Sequence, residues 1–220
     1  DGTGKDNLGR QCGGWTISWQ GEEGNNSTKG TTIKQAMSSV LNSNGGQFVS
    51  NPSSADVVVV VVSERTYAEG KGDDANLSLN GDDVSAINYA KNSGKPFVVI
   101  MISGRPLMIG EHIGSIDNFI AAWLPGTEGE GITDVLFGDY NFIGKLPLTW
   151  PKNISVLPIN IESDNYNKND ALFEYGHGLK MTNAPEPEDP IEPGNENSDN
   201  KSRDEFVTDL LSKMTMDEKI

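Results

Sequence analysis

The chain has few residues that could fix it by disulfide or metal chemistry. Among its 220 residues there is a single cysteine, Cys12, and there are only two histidines. One cysteine excludes an intrachain disulfide and leaves the redox compartment open. The loops that follow the predicted strands also lack the glycine fingerprint of nucleotide-binding domains. We therefore expect neither a metal nor a cofactor.

Positive charge and long apolar runs are scarce as well. The chain has 17 Lys and Arg against 32 Asp and Glu, a formal net charge of −15. Such a field repels polyphosphates, so we expect no nucleic-acid or membrane partner, whereas a neutral sugar remains compatible. No apolar run approaches the roughly 20 residues of a membrane span, and Asp1–Gly4 lacks the features of a signal peptide. Either the chain is cytosolic or its targeting segment lies outside this sequence.

What the sequence does contain is an alternation of apolar runs and helical periods. The runs predict buried parallel strands, and the period of 3.6 between them predicts amphipathic helices. The strands are predicted at 56–62, 97–102 and 119–123, and the helices at 31–41, 82–92, 107–116 and 131–137. Strands that alternate with helices imply βαβ crossovers. We predict an α/β fold, a doubly wound and mostly parallel sheet with helices on both faces.

The remaining segments are less regular. Residues 47–49 suggest a short strand, and the prolines that bracket 144–151 favour an edge strand or a final antiparallel strand. The globular pattern fades near residue 180. We predict one domain over 1–180, an acidic Pro-rich linker over 181–200 and a helical segment over 201–220.

The loop after the first predicted strand is the candidate site. An unbroken apolar run ends at Val62, and a polar loop follows that contains Tyr67, Glu69, Lys71 and Asp73. In open α/β sheets, ligands bind outside the carboxyl ends of the strands, so a carboxylate here is a functional candidate. The alternative is that these side chains only solvate a loop.

Two tryptophans stand out in the glycine-rich and polar segment 1–30. Trp15 and Trp19 are four residues apart, but the glycine density favours a loop over a helix. Two interpretations remain open. The pair forms either a small hydrophobic cluster under the loop or a platform on which a sugar ring stacks.

Several motifs in one order carry a family resemblance. They are QCGGWTISWQG, YAEGKGD, SGRP, AAWLPGTEGEGITDVLFGDYNFIGKLPLTWP and EYGHGL. Together they resemble the second, α/β-sandwich domain of family 3 glycoside hydrolases, in the branch of β-glucosidases and exo-1,3/1,4-β-glucanases. The resemblance covers about residues 2–179. It implies part of a secreted or periplasmic, retaining, exo-acting enzyme whose substrates are β-linked glucose oligosaccharides.

The resemblance also implies roles for individual residues. In this family a (β/α)8 barrel domain supplies the aspartate nucleophile, and the sandwich domain supplies the general acid/base. A retaining glycosidase holds these two carboxyl groups about 5–5.5 Å apart. By its motif Glu69 would be the acid/base, and Glu64 is the local competitor, interpreted as a supporting carboxylate. Sugar binding would fall to Trp19 and, less certainly, Trp15, whereas Tyr67, Lys71, Asp73 and Arg105 would be supporting residues of the site.

The sequence departs from the family pattern in three respects. No nucleophile motif is present, since Asp164 lacks the expected surroundings, so we expect the chain alone to be inactive. The alternative function is therefore a non-catalytic carbohydrate-binding or interaction module. The resemblance also places one sheet strand upstream of Asp1. Residues 206–220 resemble the start of a family 3 barrel domain, as expected for a stretch that spans two tandem units, with a permuted domain order as the alternative.

Overall fold

Three parallel strands form the centre of the fold. They are β1 (Val58–Ser63), β2 (Phe97–Ile102) and β3 (Asn118–Trp123), in the spatial order β1-β2-β3. The computed structural model describes residues 1–181. The predicted linker at 181–200, apart from its first residue, and the predicted helical segment at 201–220 lie outside these residues.

Five α-helices, four short 3-10 helices and one antiparallel strand pair complete the regular structure of residues 1–181. Helix α2 begins with a capping box, in which the side chain of Thr32 accepts from the backbone N–H of Gln35 and that of Gln35 accepts in return from Thr32. Helix α3 begins at Asn80, whose side chain caps the N–H of Asp83. The bounds are α1 Leu8–Cys12, α2 Ile33–Ser43, α3 Gly81–Asn92, α4 Gly110–Ile113, α5 Gly129–Leu136, β4 Trp150–Pro151 and β5 Ala171–Phe173.

Alternating residues of β1 and β2 face two separate cores. Val60 and Val62 of β1 pack with α3 and with the fully buried Trp150, whereas Val61 faces Ile33 of α2 on the other side of the sheet. Helix α5 packs beside α2 through Ile132. A sheet with both faces covered explains why its central strands are continuously apolar. The predicted fold class is confirmed.

Some local predictions are wrong, and each error has a physical reason. No strand forms at 47–49, where Phe48 and Val49 are exposed. The helix predicted over 107–116 is reduced to α4, because Met108 pairs with the chain near Leu77, with a hydrogen bond of 2.8 Å from Met108 N to Leu77 O. Of the strand predicted over 144–151, only Trp150–Pro151 is assigned, and it pairs antiparallel with β5.

The outer edge of β1 is occupied by the first residues of the chain. Gly4 N donates to Val61 O at 2.8 Å, and Val61 N donates to Asp1 O at 2.9 Å.

Among the helices of residues 1–181, none is long and apolar enough to cross a membrane.

Candidate active site

The site begins where β1 and β2 end. Because the two strands are parallel and Ser63 lies opposite Ile102, the residues that follow them meet at one edge of the sheet. Here Arg105 Nε donates to Glu64 Oε1 at 2.9 Å. The same carboxylate accepts from Gly104 N at 3.3 Å and from the hydroxyl of Tyr67 at 3.4 Å. The ion pair therefore joins the two loops.

This ion pair is largely shielded from water. The side chains of Glu64 and Arg105 are 13% and 26% exposed. Burial raises the pKa of Glu64, although the neighbouring Arg105 charge and the donated hydrogen bonds act in the opposite direction. Burial, together with the nearby Glu64 charge, also raises the pKa of Tyr67. With three donors on one carboxylate, the arrangement is that of a loop anchor.

A second buried carboxylate, that of Asp83, fixes the start of the loop after β1. Asp83 of α3 accepts from Thr3 N at 2.7 Å, Thr3 Oγ1 at 2.8 Å, Ser63 N at 2.9 Å and Asn80 Nδ2 at 2.7 Å. Its side chain is fully buried. Four donors compensate for the desolvation of the charge. Sequence reasoning did not identify Asp83, because nothing in the pattern distinguishes it from its exposed neighbour Asp82.

Glu69 lies at the tip of this loop. It begins a 3-10 turn, Glu69–Gly72, and its backbone is left-handed with φ = 53°. For a residue other than glycine this conformation costs about 1–2 kcal/mol, so the surrounding contacts must impose it. Glu69 is exposed, as are Lys71 and Asp73. The other end of the turn is held by Arg105, which donates to Gly72 O and stacks 4.5 Å above the ring of Tyr67.

The two tryptophans form an exposed pair. Trp15 is 69% exposed and Trp19 is 51% exposed. Their ring centroids are 6.4 Å apart, with 51° between the ring planes, and Trp15 N donates to Trp19 O at 3.0 Å. The segment is a turn, as predicted. The exposure disfavours a cluster under the loop and leaves two apolar rings facing solvent within the described part of the chain.

The tryptophan loop and the Glu69 loop are in direct contact. Ala68 N donates to Gln20 Oε1 at 3.0 Å, and Gln20 Nε2 donates to Ala68 O at 3.2 Å. Gly14 lies so close to Tyr67 that an added Cβ would overlap its carbonyl oxygen. Sequence reasoning missed Gln20, since the contact spans 48 positions along the chain.

A polar cavity of about 580 Å³ opens beside these loops. It brings together the predicted residues Glu64, Tyr67, Lys71, Asp73 and Arg105. Glu69, Trp15 and Trp19 do not line it and lie on the outer surface instead. Within residues 1–181, no group of three or more His, Cys, Asp or Glu side chains is arranged to hold a metal ion. The predicted residues therefore divide into a supporting cluster and an exposed surface.

Comparison with known proteins identifies the family. Residues 2–181 match the glycosyl hydrolase family 3 C-terminal domain. The chain belongs to this family. The lysosomal beta glucosidase of Dictyostelium discoideum is 30% identical to this family 3 domain over 208 residues, which cover 82% of the chain and 25% of that protein. The periplasmic beta-glucosidase of Salmonella typhimurium is 34% identical over 148 residues, which cover 58% of the chain and 19% of that protein.

Solved structures agree with this assignment. The exo-1,3/1,4-beta-glucanase of a Pseudoalteromonas species superimposes with a TM-score of 0.72 at 34% identity, over 81% of this chain and 24% of that one. The beta-glucosidase of Listeria innocua, at 21% identity and a TM-score of 0.65, shares the fold. The family 3 domain thus spans about a quarter or less of the two curated relatives and of the glucanase. The predicted family and its β-glucosidase and exo-glucanase branch are confirmed.

Proposed function

We propose that this family 3 domain supplies the general acid/base, Glu69, to a retaining, exo-acting β-glucan hydrolase or β-glucosidase. The observation that carries the proposal is the exposed glutamate, held in a left-handed turn in the loop after β1, which contacts the loop that carries the exposed Trp15 and Trp19 rings. An exposed acid and two exposed apolar rings on contacting loops suit a sugar, whose C–H face stacks on an aromatic plane while its oxygens reach a proton donor.

The division of the catalytic pair between two domains accounts for the exposure of Glu69. A retaining mechanism needs one carboxylate to attack the anomeric carbon and one carboxyl group to protonate the leaving oxygen. We propose that a (β/α)8 barrel domain, in the same chain or a neighbouring one, supplies the nucleophile and covers this loop. Excluding water from the loop would favour the protonated form of its acid, which is the form that catalysis requires.

Glu64 is the competing glutamate of the loop, and its contacts argue against the catalytic role. Its carboxylate is held by Arg105, Tyr67 and the Gly104 N–H. A group that must deliver a proton to a substrate oxygen needs direct access to it. We assign Glu64, Tyr67, Lys71, Asp73 and Arg105 to the support of the loop.

The relatives support the substrate class and the location. Those cited above are named beta-glucosidases or a beta-glucanase, and one of them is periplasmic and another lysosomal. We therefore propose β-linked glucose oligosaccharides as substrates, with Trp19 and Trp15 as the stacking residues. A secreted or periplasmic site of action fits the same relatives.

The decisive experiment is Glu69→Gln in the enzyme formed by this domain and its barrel domain, assayed on aryl β-glucosides with good and poor leaving groups. Loss of a general acid should reduce kcat/KM on poor leaving groups by roughly 10²–10⁴-fold and spare good ones. Glu64→Gln tests the competing carboxylate, and Glu111→Gln, an exposed glutamate on α4, is the matched control. Equal retention of activity on both substrate types by Glu69→Gln would contradict the proposal.

A second candidate function rests on the tryptophan pair alone. Two exposed rings 6.4 Å apart can bind a sugar without any catalytic group. On this view the chain is a carbohydrate-binding module, and it should bind oligosaccharides in the absence of a barrel domain.

A further inference from the structure

We infer that Gln20 is a positioning residue for Glu69. Its amide side chain accepts a hydrogen bond from Ala68 N at 3.0 Å and donates one to Ala68 O at 3.2 Å. Both backbone groups of the residue immediately before Glu69 are therefore bound by one side chain. This inference rests on the proposed role of Glu69 as the acid/base.

The contact lies where the chain changes direction. Ala68 is extended, with φ = −139° and ψ = 143°, and Glu69 is left-handed, with φ = 53°. The side chain of Ala68 is buried, so its backbone has no room to shift as a unit. Fixing the N–H and the C=O of Ala68 sets the orientation of the peptide plane from which Glu69 emerges.

The amide side chain of Gln20 suits this contact. A glutamine carries a donor and an acceptor in one plane, which matches the N–H and C=O that a single residue in extended conformation presents. A leucine of similar size makes neither bond. A glutamate keeps the acceptor for Ala68 N but places a second acceptor against Ala68 O.

Further contacts between the tryptophan loop and the Glu69 loop support the pair of hydrogen bonds from Gln20 to Ala68, which we call the clamp. The carbonyl of Tyr67 packs directly on Gly14, and the Cβ of Thr66 lies close to Gly21. The tryptophan loop thus contacts three consecutive residues of the Glu69 loop, Thr66, Tyr67 and Ala68. Because Gln20 directly follows Trp19, the turn that carries one aromatic ring also carries the clamp, which fixes the spacing between ring and acid.

The hydrogen bonds from Gln20 therefore affect how close the carboxyl group of Glu69 comes to the oxygen that it protonates. A general acid must come within about 2.6–3.2 Å of the oxygen it protonates, and a misplacement of about 1 Å can cost roughly 100-fold in rate. Stacking on Trp19 holds the sugar, and Gln20 holds the acid. Loss of the clamp should therefore affect proton transfer more than sugar binding.

The first test uses the 220-residue chain and reads the clamp directly. In Gln20→Leu, hydrogen exchange at the Ala68 amide should accelerate by about tenfold or more, since its acceptor is gone. Gln47→Leu makes the same change at an exposed glutamine outside the site and should leave this amide unchanged. Unaltered exchange at Ala68 in Gln20→Leu would overturn the inference that Gln20 holds Ala68, independently of whether Glu69 is the acid/base.

The second test measures kcat and KM of the enzyme formed with the barrel domain, on good and poor leaving groups. Gln20→Leu should lower kcat/KM on poor leaving groups by roughly 10- to 100-fold, with little effect on kcat/KM for good ones. Reduced folding alone would scale both substrates equally. Gln20→Glu, which keeps the size of the side chain but places an acceptor against Ala68 O, should show a loss of the same kind and guards against misfolding of the leucine variant.

Parallel measurement of Glu69→Gln separates the two proposals. If Glu69→Gln shows no preference for good leaving groups, the assignment of the acid is wrong and the role of Gln20 falls with it. If Glu69→Gln behaves as an acid variant but Gln20→Leu reduces both substrates alike, only the positioning role of Gln20 is overturned.

Discussion

Arg105 Nε lies 2.9 Å from Glu64 Oε1, and this pair joins the loop after β1 to the loop after β2. The guanidinium also donates to Gly72 O, at the end of the turn that carries Glu69, and stacks on Tyr67, two residues before that turn. The geometry of the proposed acid therefore depends on a neighbour in another loop.

Arg105→Met should destabilise the domain by about 1–3 kcal/mol near pH 7, because it leaves a largely buried carboxylate without its charged donor. Burial already raises the pKa of Glu64, so the folded state binds its proton more tightly than the unfolded state. The stability that this tighter proton binding contributes is fully present below the ordinary glutamate pKa. It is lost as the pH rises through the pKa of Glu64 in the folded state. Without Arg105 that value rises further, so the variant should lose more stability at pH 7 than at pH 4.

Urea unfolding at several pH values measures this effect. Glu64→Gln removes the titrating group, so the cost of Arg105→Met measured in the Glu64→Gln background, against Glu64→Gln alone, should become nearly independent of pH. A destabilisation that is equally large at pH 4 and pH 7 in Arg105→Met would show that the carboxylate is not its source.

Asp83→Asn should cost about 2–4 kcal/mol, since the fully buried carboxylate accepts from four donors and an amide would turn its own N–H groups toward them. Asp82→Asn is the matched control, because Asp82 is the exposed neighbour on the same first turn of α3. It should cost less than about 1 kcal/mol through the helix dipole. Thermal unfolding of both variants compares them, and similar losses would contradict the network.

Gly72→Ala and Gly70→Ala form a matched pair within one turn. A Cβ at Gly72 would overlap the ring of Tyr67, whereas nothing lies within 4 Å of a Cβ at Gly70. We expect Gly72→Ala to cost about 1–3 kcal/mol and to displace Tyr67. Gly70→Ala should be near neutral or slightly stabilising. Denaturant midpoints and the near-ultraviolet signal of the aromatic side chains check this, and equal stabilities would show that Tyr67 is not packed on Gly72.

Titration of the 220-residue chain with laminaribiose and cellobiose tests the exposed tryptophans. If the pair binds sugar without a barrel domain, the emission of Trp15 and Trp19 should shift, and Trp19→Leu should abolish the response. Trp150 is fully buried and serves as the internal control, because its emission should resist both sugar and a soluble quencher. A chain that shows no response has no autonomous binding function.

The fold was predictable from sequence wherever the pattern was long and uniform. The bounds predicted for β2, residues 97–102, agree with the structure, because an unbroken apolar run can only be buried on both faces. The three residues at 47–49 were too few to distinguish a strand from a loop, and their side chains are exposed. The helix predicted over 107–116 was too long, because Leu107 and Ile109 are buried where the chain pairs near Leu77 rather than in a helix.

The site was only partly predictable, for a related reason. Adjacent loops can be inferred from strand order, so Glu64 and Arg105 could be expected near one another once β1 and β2 were recognised. The contact of Gln20 with Ala68 and the burial of Asp83 depend on how loops fold over the sheet edge. Neither leaves a periodic signal in the sequence, so only coordinates reveal them.

The pairing of Ser63 with Ile102 has a further consequence for assembly of the sheet. If β1 slipped by one residue against β2, its valines would exchange cores, and Glu64 would move about 3.3 Å along the strand relative to Arg105. A misaligned sheet would thus lose its packing and its ion pair together. The contact between the two loops therefore favours the native alignment of the two strands.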